Sequence, residues 1–368
     1  MQINEEDYSV KINLNQLNSC IEENINNLNC EIENYDFIKF LTEMMAKKIK
    51  RCKLTGVDPI ILFSREKSIS EVLKFFQSLK CPEWYNLAKG ILLGQDKNKT
   101  INIYDYQEIN STDKDENNFD KYSDFSCIEY KGNGNPNTRI KVLLKEGYED
   151  ILEFIDKDKF TLDDLQTIAH EIAHNLDFNP NEENSTRDLL SEIPAFCIEK
   201  MFLEYLKEKN IIIDQVLEKM QMKRLLNSCE AAESIYAKIL LMETYEEDGK
   251  LTKENIQELL KECNITNPNE VRRIFINVVG SLPDINYEVR YPIAELSAIE
   301  YMKKFRANKS NAIRRLKIYC NNAKRGNFTQ RVLKLVGCPI NSKDINKRIK
   351  DINNQQYFKE DDEEQIYI

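Results

Sequence analysis

Only two histidines occur in 368 residues, and they stand four apart with a glutamate directly after the first: His170-Glu171-Ile172-Ala173-His174. Residues four apart share a helix face. On a helix the two imidazoles become a chelate, able to offer nitrogens at about 2.0–2.1 Å to one tetrahedral zinc, while Glu171 reaches a water at the open coordination position. Two histidines scattered at random over this length would fall four apart in roughly one case in 200, and with the glutamate also in place in roughly one in 2000. The spacing therefore reads as hydrolytic chemistry, with one Zn2+ per chain and Glu171 as the base that takes a proton from water.

The surrounding residues predict the helix this chemistry needs. Thr161, followed three residues later by Asp164, approaches a capping box, and Asp163 and Asp164 place negative charge at the positive end of the helix dipole. Leu162, Leu165, Ile168, Ala169, Ile172, Ala173 and Leu176 form a broad apolar band at helical spacing, so the helix is expected to be largely buried. Asn179-Pro180-Asn181 supplies the stop signal. With no third histidine and no CxxC, a carboxylate has to complete the site. Glu192, 18 residues after His174, is the best-placed candidate; it opens the apolar-periodic stretch Thr186 to Lys207, where Pro194 demands a kink or a late start near Ser191. Glu199 lies two turns further along the same face. It is placed either to accept a hydrogen bond from a ligating imidazole or to sit in a surface salt bridge. Asp177 is too close on the first helix to serve as the third ligand, and Asp188 lacks a matching context. The metzincin extension HxxGxxH is missing.

Composition sets the frame. With 41% hydrophobic and 31% charged residues, the chain is an ordinary globular sequence able to bury one large core or two smaller ones. A formal charge of −10 argues against general nucleic-acid binding. Ten cysteines without a CxxC pair or dense cluster read as reduced thiols in a cytoplasmic setting. The amino terminus lacks a basic start with an apolar run, and no stretch approaches the 18 apolar residues of a membrane span. A chain exported by a specialised secretion system would carry the same composition.

Taken in order, the chain predicts a mainly α protein with a small β-sheet beside the active site. Residues 1–98 form a mostly helical region, with periodic stretches at Asn15 to Asn29, Phe37 to Lys50 and Ser70 to Leu79 and a short apolar run at Ile60 to Phe63, and are expected to supply part of a cleft wall. Residues 99–350 are expected to be the catalytic domain. Within them, Lys99 to Leu144 alternates as strands do, and Lys131 to Asn137 reads as a loop leading into a strand from Arg139 to Leu144. That strand is expected either to pair with an extended peptide over the metal or to remain a plain edge. Further helices are expected at Ile211 to Met242, Leu251 to Cys263 and Val271 to Val279. Residues 351–368 close the chain as a solvated acidic tail.

The string Glu192-Ile-Pro-Ala-Phe-Cys-Ile-Glu199 after HExxH resembles the thimet oligopeptidase and oligoendopeptidase F family, whose second active-site helix carries a Glu-x-Pro-small pattern and another Glu seven residues on. The resemblance implies a zincin-type catalytic core in a mainly helical, deep-clefted peptidase, with Glu192 as third zinc ligand. Tyr287-Glu-Val-Arg-Tyr-Pro-Ile-Ala-Glu-Leu-Ser-Ala298 is similar to the family's tyrosine-bearing segment. It implies that Tyr291, with Tyr287 as a secondary candidate, hydrogen-bonds the substrate carbonyl and the oxyanion that forms from it. Phe328 to Gly337 resembles the family's closing segment, so the likeness covers residues 130 to 340. The chain departs from the family in its length, in a shorter connection between His174 and Glu192, and in having no histidine near Tyr291.

The expected substrate is a peptide or protein. Two alternatives use the same residues: an effector or toxin-like protease cutting one folded partner, and a non-catalytic zinc-binding descendant of a peptidase. Structural zinc sites are usually closed by four protein ligands and seldom need a glutamate beside the first histidine, which weighs against the second.

Overall fold

In a computed structural model, the described residues are 18, 19, 21, 35–49, 61, 63–93, 99–104, 125–131, 135–143, 159–177, 189–263 and 285–354. The stretches expected around Asn15 to Asn29, at Asn179 to Pro180, at Val271 to Val279 and in the acidic tail lie wholly or largely outside them. In chain order the elements are α1 (Tyr35–Lys48), β1 (Phe63–Ser64), α2 (Arg65–Ser78), α3 (Pro82–Leu92), β2 (Lys99–Tyr104), β3 (Phe125–Lys131), β4 (Asn135–Leu143), β5 (Lys159–Phe160), α4 (Leu162–Ala173), α5 (Glu192–Glu208), α6 (Asp214–Asp248), α7 (Lys253–Glu262), α8 (Ile285–Ala307), α9 (Lys309–Ala323), α10 (Gln330–Leu333) and α11 (Ser342–Asn353). Among the described residues the protein is mainly helical, with two small sheets.

The chain divides into two compact units, neither continuous in sequence: residues 55–220 with 297–338, and residues 1–54 with 221–296 and 339–368. In the second unit α11 packs on α1. Ile345, Ile349 and Ile352 of α11 are buried on one face, as are Ile38, Leu41 and Met45 of α1, and Asn353 donates to the Lys48 carbonyl at 2.8 Å.

The first unit carries the histidines. A two-residue antiparallel ribbon pairs Phe63 with Phe160 and Ser64 with Lys159. Both phenylalanines are buried, and each strand feeds straight into a helix N-cap. Ser64 accepts from the Lys67 amide at 3.3 Å at the head of α2, while Thr161 and Asp164 make a complete capping box at the head of α4. Such a cap is worth about 1 kcal/mol, and here it also fixes where the histidine helix begins. The expected apolar band of α4 is buried from Leu162 to Leu176. It packs against α5, which starts late, at Glu192, so that Pro194 falls in the first turn where its missing N–H costs nothing. Residues Glu192 to Leu206 of α5 are buried on all sides. On its α2 side, Phe202 meets Phe75 edge-on at 5.2 Å between ring centroids.

The three-stranded sheet has the order β2-β4-β3, with β2 parallel and β3 antiparallel to β4. This corrects two expectations. The strand from Arg139 to Leu144 is neither an edge nor free to take up a peptide, because β4 is paired on both sides: Ile140 faces Ile101 on one neighbour and Ser126 on the other. The loop is also shorter than the Gly- and Asn-rich run implies, since Asn135, Pro136 and Asn137 already pair with Lys131, Tyr130 and Glu129 of β3. β4 lies against α4, so a small sheet does stand beside the histidine helix.

Gly337 ends the segment after α10 with φ +79°. A Cβ there would come within 2.9 Å of the Glu300 Cβ and 3.1 Å of the Ser297 carbonyl oxygen on α8. Gly337→Ala is therefore expected to destabilise the fold by about 1–3 kcal/mol, read as a lower midpoint in urea unfolding. An unchanged midpoint would mean that the segment shifts freely.

Candidate metal centre

Helices α4 and α5 bring three predicted ligands together. The Nε2 atoms of His170 and His174 lie 3.1 Å apart, and one Glu192 carboxylate oxygen, Oε2, stands 3.3 Å from the first and 3.7 Å from the second. Two ligands at about 2.05 Å from a tetrahedral metal are separated by about 3.3 Å, so this triangle has the edges of one face of such a site. Two imidazole nitrogens and one carboxylate oxygen are also the donor set that zinc accepts with a fourth position open. Among the described residues this is the one group of three or more such side chains able to hold a metal ion. Asp177 is not part of it. Its charge acts elsewhere: burial first, then the Asp177 carboxylate, raises the Tyr319 hydroxyl and the Cys320 thiol.

The triangle is buried but not sealed. Glu192 is 3% exposed and His170 8%, whereas His174, the C-cap of α4, is half-buried. Glu171 sits beside the triangle with its Oε1 at 4.0 Å from His170 Nε2 and its Oε2 at 3.8 Å from His174 Nε2. Its Oε2 is buried without a hydrogen-bond partner among the described residues. A buried carboxylate oxygen left in this state is costly, and it fits a group that meets a water or a reacting proton.

Glu199 proves to be buried rather than at the surface. Its Oε2 is 3.0 Å from His170 Nδ1. A carboxylate can only accept, so Nδ1 carries a proton toward Glu199, and Nε2, facing Glu192 and His174, is the nitrogen whose proton a metal would displace. The other Glu199 oxygen, Oε1, accepts from the Gln166 side-chain amide, one turn before His170 on α4. Gln166 was not legible as a site residue; the only signal is its place at i−4 from His170, on the same face.

Burial alone would lower the His170 pKa, but the Glu192 and Glu199 carboxylates on its two ring nitrogens, with Glu171 nearby, push it up to about 10. In the metal-free protein this imidazolium stabilises the fold. The contribution is fully present below the unfolded value of about 6.5 and is lost as the pH rises through about 10. Metal must displace the proton, so apparent affinity is expected to rise about tenfold per pH unit from pH 6 to 9. Metal titration across that range checks this; a flat profile would sink it.

Tyr291 belongs to the other compact unit, where the Arg290 guanidinium donates to its hydroxyl at 3.1 Å and lies over its ring. Tyr287 is in α8, with its side chain outside the described residues.

Compared by sequence, the chain matches no family model and no curated protein. Compared by structure, it matches PZ peptidase A, solved with an inhibitor, at a TM-score of 0.54 and 11% identity over 94% of this chain and 60% of that one. The chain shares its fold with that protein. A provisionally assigned peptidase from Chlamydophila abortus follows at TM-score 0.47 and 16% identity, over 92% of this chain and 55% of that one. A provisionally assigned oligoendopeptidase F from Bacillus anthracis str. Ames stands at 0.48 and 11%, over 94% and 56%. The chain thus spans between 55% and 60% of the length of these peptidases. No helix among the described residues is long and apolar enough to cross a membrane.

Proposed function

We propose that this protein is a zinc-dependent peptidase, a divergent relative of oligoendopeptidase F and thimet oligopeptidase, hydrolysing peptide bonds in peptide or protein substrates. The observation that carries the reading is the buried triangle of His170, His174 and Glu192 with Glu171 beside it. The peptidase fold shared with PZ peptidase A supports it. When bound, zinc would supply Lewis acidity, acidifying water and polarising the scissile carbonyl. Glu171 takes a proton from the attacking water and returns it to the leaving amine, which must leave neutral. Glu199 holds His170 in the tautomer that keeps Nε2 available.

Tyr291 donates a hydrogen bond to the carbonyl oxygen as charge develops on it. On that role Tyr291→Phe is expected to lower kcat about 10²- to 10³-fold with little change in KM. Steady-state rates on a quenched peptide check it, and native rates would remove Tyr291 from the mechanism.

The test of the whole reading is metal content and cleavage of a quenched peptide library by the purified chain. About one zinc per chain with chelator-sensitive cleavage is expected. Chelator-resistant cleavage would overturn zinc dependence, and a chain that takes up no metal would overturn the site. Metal uptake without cleavage of any peptide would overturn general peptide hydrolysis.

A further inference from the structure

We infer that Gln166 is a positioning residue for the metal centre, acting through Glu199 on His170. The inference rests on the reading that His170, His174 and Glu192 bind a metal, and it adds a residue that neither the HExxH motif nor the Glu-x-Pro segment contains.

A buried carboxylate has acceptor capacity that the protein itself must fill. Glu199 is 3% exposed and cannot draw on bulk water, so each of its oxygens needs a donor from the protein. Oε2 takes the His170 Nδ1 proton at 3.0 Å, and Oε1 takes a proton from the Gln166 side-chain amide, itself 8% exposed. The amide must turn its nitrogen toward Glu199, since an oxygen there would face an oxygen. Gln166 thereby does two things. It gives the Glu199 oxygen that faces away from His170 a donor, leaving Oε2 to accept the Nδ1 proton. It also holds the carboxylate plane, so that Oε2 cannot rotate away from the imidazole.

The backbone makes this pairing rigid. Gln166 and His170 are four apart on α4, and Thr161 and Asp164 clamp the first turn of that helix. Glu199 comes from the buried face of α5. The chain Gln166, Glu199, His170 therefore links the two ligand-bearing helices through side chains and leaves the Nε2 lone pair aimed at the metal position. A neutral donor suits the place. A lysine or arginine would add a buried cation near a metal cation, and an acid would set two carboxylates in contact.

The experiment measures metal affinity, by competition with a chelating dye, on the full chain carrying Gln166→Met, Glu199→Leu or both. Methionine keeps the length of the side chain and removes the amide. Each single change is expected to weaken binding about 10- to 100-fold. If Gln166 acts through Glu199, the double variant should be no more than about threefold weaker than Glu199→Leu alone; independent effects would multiply instead. Metal-free thermal unfolding and circular dichroism confirm folding, and Gln166→Leu stands in should Gln166→Met not fold. Native affinity in the Gln166 variant, or a double variant weakened by the product of the two singles, overturns the inference while leaving the metal centre intact. A native chain that takes up no metal overturns the metal-site reading itself, and the inference with it.

Discussion

Glu171→Gln is expected to bind metal as the native chain does and to hydrolyse peptides about 10²- to 10⁴-fold more slowly. The substitution keeps the shape of the side chain and removes only its ability to carry a proton away. Glu171 is not a member of the ligand triangle; its oxygens lie 3.8 and 4.0 Å from the two imidazole Nε2 atoms, further than the 3.1 Å between the imidazoles themselves. Metal content should therefore stay near that of the native protein. The loss belongs to the barrier, about 3–5 kcal/mol of it, because without a base the attacking water keeps its proton and the amine has no ready donor when the bond breaks. Expected results are an unchanged metal stoichiometry, a KM within a fewfold of native, and a collapsed kcat. Activity within tenfold of native would show that another group moves the proton. Joint loss of metal and activity would make Glu171 a ligand.

The parts of this site that were legible in the sequence are those governed by local rules. The capping pair Thr161 and Asp164, the apolar band of α4, and the late start of α5 at Glu192 forced by Pro194 all depend on residues within a turn or two of one another. Gln166 escaped because a polar residue on an amphipathic helix reads as solvent-facing, and its partner is 33 residues away. Glu199 reads in the sequence as either a partner of a ligating imidazole or a surface residue for the same reason. The place of β4 escaped because alternation reveals a strand but not its neighbours; pairing with β2, over 30 residues earlier, is set by the fold. The two compact units, each assembled from separated stretches of chain, leave no composition shift to find.

Glu192→Ala is expected to do what Glu171→Gln does not, and release the metal. Glu192 supplies the one oxygen of the triangle, 3.3 Å from His170 Nε2 and 3.7 Å from His174 Nε2, and without it two nitrogens of the triangle remain. Two-point chelation by i, i+4 imidazoles is much weaker than a closed three-ligand set. The loss should therefore exceed the about 10- to 100-fold expected of an outer partner such as Glu199. The two glutamates make a controlled comparison, since they lie on one helix, seven residues apart, at the same 3% exposure, and both touch His170. They differ in which nitrogen they meet: Glu192 faces Nε2, where the second histidine also converges, while Glu199 takes the Nδ1 proton. Competition titrations of Glu192→Ala and Glu199→Ala should thus rank Glu192 as the larger loss. The reverse ranking would mean that the metal sits on the Nδ1 side, and it would overturn Glu192 as the third ligand.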